Sequence, residues 1–408
     1  MPAYSGKFQY LDERGSPLTQ GACQFRFDAE TAIVTPASGT PIAFDLGDVD
    51  LAVPGEWDFQ IVLFTGRRLQ LRQFGAAFPG MSEELLAAWR NRTVRCLLLE
   101  DLQEVARYSG TAAIHGAPAG PAEIRLYQSN IAVLPLNGPA LQWRLAEVDA
   151  VTFDEAAYSV TLESAGEKLT IARLAKKTGE FRQNLGEALD ALHTHQADAL
   201  HATFPFLDPD QLQRLQEAMP EGRSVPLAKL QAIHSKLPEA LVARAVDAPL
   251  RPYFDALRAR SVGDSLMTGF KFVRPDEAEA SATPEAEADA TPEGQPLFFW
   301  FFFPLANGRV AWEATTGSGR ATYFFEAAAP VEEAIARLTR GLALVNFRRE
   351  PVYLKDASLE QQAKFHRYAI GSRKLPDLRA LRAAFRGRAL HTCLEAWTAQ
   401  VEKPEVDS

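Results

Sequence analysis

Gln24-Phe25-Arg26-Phe27, followed by Val34-Thr35-Pro36 and Gly39, returns 99 positions later as Glu123-Ile124-Arg125-Leu126, Val133-Leu134-Pro135 and Gly138. The match runs outward without a gap: Phe44-Asp45-Leu46 lies over Trp143-Arg144-Leu145, and Val49-Asp50 over Val148-Asp149. One inserted residue later, Gly66 meets Gly166 and Leu69 meets Leu169; upstream, Tyr4-Ser5-Gly6 recurs as Tyr108-Ser109-Gly110. Apolar class is kept at nearly every alternate matching position. The first half of the chain is therefore read as an internal duplication, one folding unit used twice.

Within each copy the apolar residues alternate in twos. The first copy has Phe25/Phe27, Ile42/Phe44/Leu46, Phe59/Ile61/Leu63 and Leu69/Leu71; the second has Ile124/Leu126, Leu141/Trp143/Leu145, Tyr158/Val160/Leu162 and Leu169/Ile171. A period of two over short runs predicts half-buried strands, and the runs are broken by turn residues such as Thr65-Gly66, Asn137-Gly138-Pro139 and Ala165-Gly166. Each strand run then gives way to a helix. In the second copy Thr178 is the expected cap and Phe181, Leu185, Leu189 and Leu192 the buried stripe; in the first the helix is expected from Ser82 through Leu85, Leu86 and Trp89.

Six or seven short antiparallel strands closed by one C-terminal helix resemble the pleckstrin-homology-like superfold, in its GRAM-type variety, and the resemblance covers residues 4–195 in two copies. It rests on element order and length. It implies a recognition module for phosphoinositide headgroups, peptides or proteins, and only rarely an enzyme. Lipid-binding members carry a basic cluster between their first two strands. Here that loop reads Leu11-Asp12-Glu13-Arg14-Gly15-Ser16-Pro17 in one copy and Gly116-Ala117-Pro118-Ala119-Gly120-Pro121 in the other. Neither offers the convergent cations a phosphorylated headgroup needs, so protein or peptide recognition is the leading expectation.

The remaining sequence is read less sharply. Of 408 residues 47% are hydrophobic and 23% charged, which suits folded globular protein, and a net charge of −9 argues against a chain that coats nucleic acid with its whole surface. The start lacks the charged and apolar regions of a secretory signal, and no apolar run is long enough to span a bilayer. Cys23, Cys96 and Cys393 are sparse and unpaired in spacing, as in a reducing cytosol, so a cytoplasmic location is expected. Leu297–Phe303 (LFFWFFF) is a single strand that must be covered on both faces. Asp276 to Glu293 is acidic and lacks basic residues, and reads as a disordered loop bulging from one sheet.

The expected organisation is α+β: tandem pleckstrin-homology-like barrels at 1–97 and 104–197, each with its C-terminal helix, then a helical connector at 198–262 packing on the second repeat. A smaller α+β sheet domain follows at 263–347 with its acidic loop at 276–295, and a basic helical segment at 348–408. Between Arg337 and Arg388 thirteen lysines and arginines face four acids. Arg379, Arg382 and Arg386 share one face if Leu375 to Arg388 is helical, beside an apolar stripe of Leu378, Leu381 and Phe385. With Arg348, Arg349, Arg373 and Lys374 these are the candidate anion- or partner-binding residues. Solvated helix face, acidic protein partner or this chain's own acidic loop, and nucleic acid or anionic lipid are the alternatives they leave open.

Catalytic signatures were sought without success: no H-E-x-x-H, G-x-S-x-G, Walker loop or dinucleotide fingerprint occurs. No cofactor or metal is expected. His193, His195 and His201 diverge on one helix, and His366 and His391, near Cys393 and Glu395, lack an evident orienting group. An enzyme of unrecognised type in the C-terminal part remains the third alternative.

Overall fold

The alternation of the first half becomes two seven-stranded antiparallel sheets with the same spatial order. The computed structural model describes residues 2–402 apart from 100–101, 115, 117, 137, 264, 273–296, 307, 316–319 and 329. The first copy contains β1 (Ala3–Leu11), β2 (Pro17–Phe27), β3 (Thr31–Pro36), β4 (Ile42–Asp45), β5 (Val49–Pro54), β6 (Asp58–Leu63) and β7 (Arg68–Arg72), closed by α1 (Phe78–Cys96). The second contains β8 (Glu104–Ile114), β9 (Gly120–Tyr127), β10 (Asn130–Pro135), β11 (Leu141–Arg144), β12 (Ala150–Asp154), β13 (Ser159–Ser164) and β14 (Glu167–Ala172), followed by α2 (Thr178–Thr203). The orders are β4-β3-β2-β1-β7-β6-β5 and β11-β10-β9-β8-β14-β13-β12.

Register repeats with order. Phe25 pairs with Val34 as Ile124 pairs with Val133, and Tyr4 pairs with Phe25 as Tyr108 pairs with Ile124. Because side chains alternate with a period of two, shared register sends the same positions inward in both copies. In the first, Phe8, Phe25, Val34, Phe59 and Leu71 meet Phe78, Met81, Leu85 and Trp89 of α1, all buried. The indole Nε1 of Trp89 donates to the Val49 carbonyl at 3.1 Å, so the helix is also tied polar-to-polar. At the joint between last strand and helix, Gln73 and Gly75 (φ 61° and 58°) are matched by Arg173 and Ala175 (φ 56° and 51°). The residue between each pair, Phe74 or Leu174, folds over a glycine: a Cβ on Gly6 would lie 2.7 Å from the Phe74 ring, and one on Gly110 would lie 2.7 Å from Leu174 Cδ2.

Three local expectations are corrected. Helix α1 starts at Phe78, not Ser82, because Phe78 and Met81 already belong to its buried face and Pro79 suits a first turn. Thr178 does not cap α2: it is already helical, and its hydroxyl donates to the Ala175 carbonyl at 3.1 Å. Tyr158 is not a core strand residue. It has a φ of 48° before β13, and the inward register begins with Val160, which pairs with Ile171 as Phe59 pairs with Leu71.

The chain clusters into two units, Met1–Ala188 with Glu360–Leu375, and Leu189–Leu359 with Pro376–Ser408. The second unit is built on one antiparallel sheet of β15 (Val225–Pro226), β16 (Met267–Phe272), β17 (Leu297–Pro304), β18 (Arg309–Ala314), β19 (Ala321–Glu326) and β20 (Phe385–Leu390), in that spatial order. Its helices before the long strands are α3 (Pro209–Ala218), α4 (Leu227–Gln231), α5 (Leu237–Ala245) and α6 (Arg251–Arg260). Asp208 and Gln211 form a capping box at the start of α3. The helices after β19 are α7 (Val331–Leu344), α8 (Glu350–Tyr353), α9 (Asp356–Gln361), α10 (His366–Lys374), α11 (Pro376–Ala384) and α12 (Leu394–Glu402).

All of β17 is buried, as a seven-residue apolar run with six aromatics requires. Phe299, Phe301 and Phe303 share one core with Leu241, Phe254, Leu257 and Trp397. Trp300, pointing the other way, stacks on Phe347 at 4.0 Å. The segment read as a connector on the second repeat thus supplies one covering layer of this sheet, because its leucines share that core. The basic C-terminal segment is not a separate helical piece either. Phe385–Leu390, expected to continue a helix, is the strand beyond β19: Gly387 and Ala389 turn inward while Arg386 and Arg388 stay part-exposed. The expected acidic loop at 276–295 lies outside the described residues, although the strands on either side of it, β16 and β17, are paired. Among the described residues no helix is long and apolar enough to cross a membrane.

Candidate functional site

Two of the seven candidate basic residues meet in a groove of the second unit. Where α11 leaves off and β20 begins, Arg379 and Arg386 line an open groove of about 1100 Å³ together with Arg309 at the start of β18 and Arg337 on α7. Its apolar lining is small, with Ala380, Ala383 and Ala384 among the contributors. The two helices that contribute to it, α7 and α11, approach closely: a Cβ on Gly341 would lie 2.7 Å from the Asp377 carbonyl and from Leu381 Cβ. Acids sit at the margins. Arg386 Nε donates to Glu326 Oε2 at 2.8 Å, and Asp377 receives Arg340 at 3.1 Å and Arg337 at 3.6 Å. Glu326 keeps 62% of its side chain exposed, so this pair is an exchangeable surface contact.

The other five candidates have different employment. Arg382 turns away from the groove, donating to the carbonyls of Pro351 and Leu354 and to Asp356 Oδ1 at 2.7 Å, and thereby pins the turns around α8 to α11. Arg349 holds the N-cap position of α8, and its positive charge acts on the buried Tyr323 hydroxyl; Arg348 precedes it. Neither lines the groove. Arg373 and Lys374 belong to the first unit. Arg373 lies 3.5 Å from Asp48, and Lys374 Nζ donates to the Val49 carbonyl at 2.8 Å with Asp50 at 3.7 Å. Burial holds Lys374 below, and Asp48 above, its ordinary pKa. These two cations anchor α10 on the first copy. Arg309 and Arg337 were not candidates on sequence: Arg309 lies outside the basic run, and Arg337, at its head, lies far in sequence from Arg379 and Arg386.

The first unit presents a second feature that the sequence reading missed. Trp57, just before β6, and Tyr158, just before β13, are each 69% exposed. They are equivalent once the hairpin register is followed, because Phe59 and Val160 are equivalent two residues later. Beside Trp57 lies a pocket of about 410 Å³ lined by Asp58, Arg72, Gln73, Phe74 and Phe78. A large aromatic is thus exposed at the same hairpin of both copies.

Three of the histidines named on sequence, His195, His366 and His391, make separate contacts. His195 packs its ring on Phe272 at 4.1 Å, and His366 Nδ1 lies 3.3 Å from the Glu360 carbonyl. His391, expected on an ordinary helix face, instead turns inward: its Nε2 is 3.3 Å from Glu313 Oε2 and 3.1 Å from Thr322 Oγ1, and its ring stacks on Tyr253 at 4.1 Å. Trp397 Nε1 donates to the same threonine at 2.9 Å. This polar knot lies beneath the sheet surface and knits β18, β19 and α12 together. Among the described residues no group of three or more His, Cys, Asp or Glu side chains is placed to hold a metal ion. Compared with protein-family models and with curated proteins, the sequence matches none.

Proposed function

We propose that this chain is a non-enzymatic recognition or scaffold protein of the cytoplasm, whose tandem pleckstrin-homology-like pair binds another protein or a peptide. The observation that carries the reading is the repeated strand order and register, each copy closed by its helix, with an exposed aromatic at the same hairpin of both. Two equivalent contact points suit a partner that engages both copies, where the second contact is favoured by the first. The first-strand loops lack the cations of a headgroup site, which favours protein over inositide. Three free cysteines fit a reducing compartment.

The test is a quantitative pulldown with full-length protein and with the Trp57→Ala/Tyr158→Ala double variant. The expected result is a defined partner whose recovery falls at least fivefold with the variant while the melting temperature holds. Failure to recover any partner, together with substrate turnover by the purified protein, would overturn the proposal.

A second reading is favoured by one observation, the convergence of four arginines in the second unit. On that reading the chain associates with nucleic acid or an anionic membrane surface, and affinity falls steeply with salt.

A further inference from the structure

We infer that the arginine groove of the second unit is a separate binding site for a short acidic peptide segment of a partner protein. The site lies wholly within that unit and stands or falls independently of the tandem reading.

Charge complementarity carries the inference. Arg309, Arg337, Arg379 and Arg386 converge on one open concavity from two strands and two helices, against one lining carboxylate, Glu326. Guanidinium groups recognise carboxylates in a planar, two-point geometry that lysine cannot match, and all four cations are arginine. The alanine-rich wall leaves room for a peptide backbone to lie close, with small apolar contacts beneath its acidic side chains.

The sign of this charge would suit a phosphate polymer as well, but its small extent favours the peptide. A duplex or membrane surface needs a broad basic face, whereas this charge is confined to a groove of about 1100 Å³ on a chain of net charge −9. The groove already holds the chemistry proposed for its ligand. Arg386 grips Glu326 through Nε at 2.8 Å, and Arg337 lies 3.6 Å from Asp377, so carboxylates at the margin occupy the positions that ligand carboxylates would take over. Glu326, 62% exposed, is an internal competitor at the mouth.

The experiment is fluorescence anisotropy of a fluorescein-labelled decapeptide of alternating Asp and Glu, titrated with the full-length chain at 50 and 150 mM NaCl. A decapeptide of Asn and Gln serves as the neutral control. Saturable binding of the acidic peptide alone is expected, weakened at least tenfold by Arg379→Glu. Arg379 is exposed on α11, so that variant should melt with the wild type. Glu326→Gln removes the competitor and should tighten binding about two- to fivefold, a gain that a merely damaged fold would not give. Equal affinity of Arg379→Glu and wild type overturns the inference, as does looser binding by Glu326→Gln. It is also overturned if a single-stranded 12-mer DNA or phosphatidylserine vesicles bind in place of the peptide and lose affinity with Arg379→Glu. The groove would then be a phosphate site.

Discussion

Gly75 and Ala175 occupy the same joint in the two copies, yet carry different side chains on nearly the same left-handed backbone, at φ 58° and 51°. A β-carbon in that region costs roughly 1–2 kcal/mol, while replacing glycine by alanine removes about 0.4–1 kcal/mol of unfolded-state freedom. An added Cβ on Gly75 meets nothing within 4 Å, so no packing effect obscures the backbone contribution. Gly75→Ala is therefore expected to destabilise the first unit by about 0.5–1 kcal/mol, and Ala175→Gly to stabilise it by a similar amount. At roughly 2–4 °C per kcal/mol for folding units of this size, the two variants should separate by several degrees. Urea unfolding of the full chain followed by tryptophan fluorescence gives the global effect. Amide exchange in peptides spanning 68–96 and 167–188 locates it. If both substitutions shift stability in the same direction, or Gly75→Ala is neutral, the two joints are not energetically equivalent and the argument from repetition fails.

Three further outcomes follow from the same reasoning. Alanine at Gly6 places a Cβ 2.7 Å from the Phe74 ring, which can tilt, whereas at Gly110 it lies 2.6 Å from the Ala172 carbonyl, which cannot; both should destabilise by about 1–3 kcal/mol in thermal melts, Gly110→Ala more. Burial pushes the Cys23 and Cys96 thiols up to about 11, so at pH 8 iodoacetamide should label exposed Cys393 and leave the other two unmodified until unfolding, as read by peptide mass spectrometry. Burial pushes the Tyr323 hydroxyl up to about 12, above the unfolded value near 10. The neutral form is thus favoured by folding, and the stability it contributes is intact below pH 10 and lost between 10 and 12. Tyr323→Phe should flatten that part of the stability–pH curve, and an unchanged slope would contradict the assignment.

The duplication was legible because strand pairing here is local: each copy folds within its own stretch, and alternation in sequence maps directly onto register. Legibility ended where partners are distant. Phe385–Leu390 satisfies a helical spacing of arginines and leucines, and only its pairing with β19, some 60 residues earlier, makes it a strand. The leucines of 198–262 announced helices correctly but carried no label for the surface they cover. Half of the arginine groove could be named in advance, since Arg379 and Arg386 stand in a basic run. Arg337 heads the same run but joins the groove only through the packing of α7, and Arg309, outside the run, through the sheet. Trp57 and Tyr158 escaped for a different reason: an ungapped alignment sets them two residues out of step, and only the hairpin registers restore the match.

Lys374 reaches the Val49 carbonyl from the far side of a long excursion, because Glu360–Leu375 belongs to the first unit while Leu189–Leu359 does not. On the ribosome, at about 5–20 residues per second, that excursion takes on the order of ten to thirty seconds to emerge. Through that interval the nascent repeats must wait for α10, with the surface around Asp48 and Val49 uncovered. Closure of the first unit is therefore tied to the synthesis of residues 360–375, and a chain that stopped before residue 360 would hold its paired sheets without this clasp.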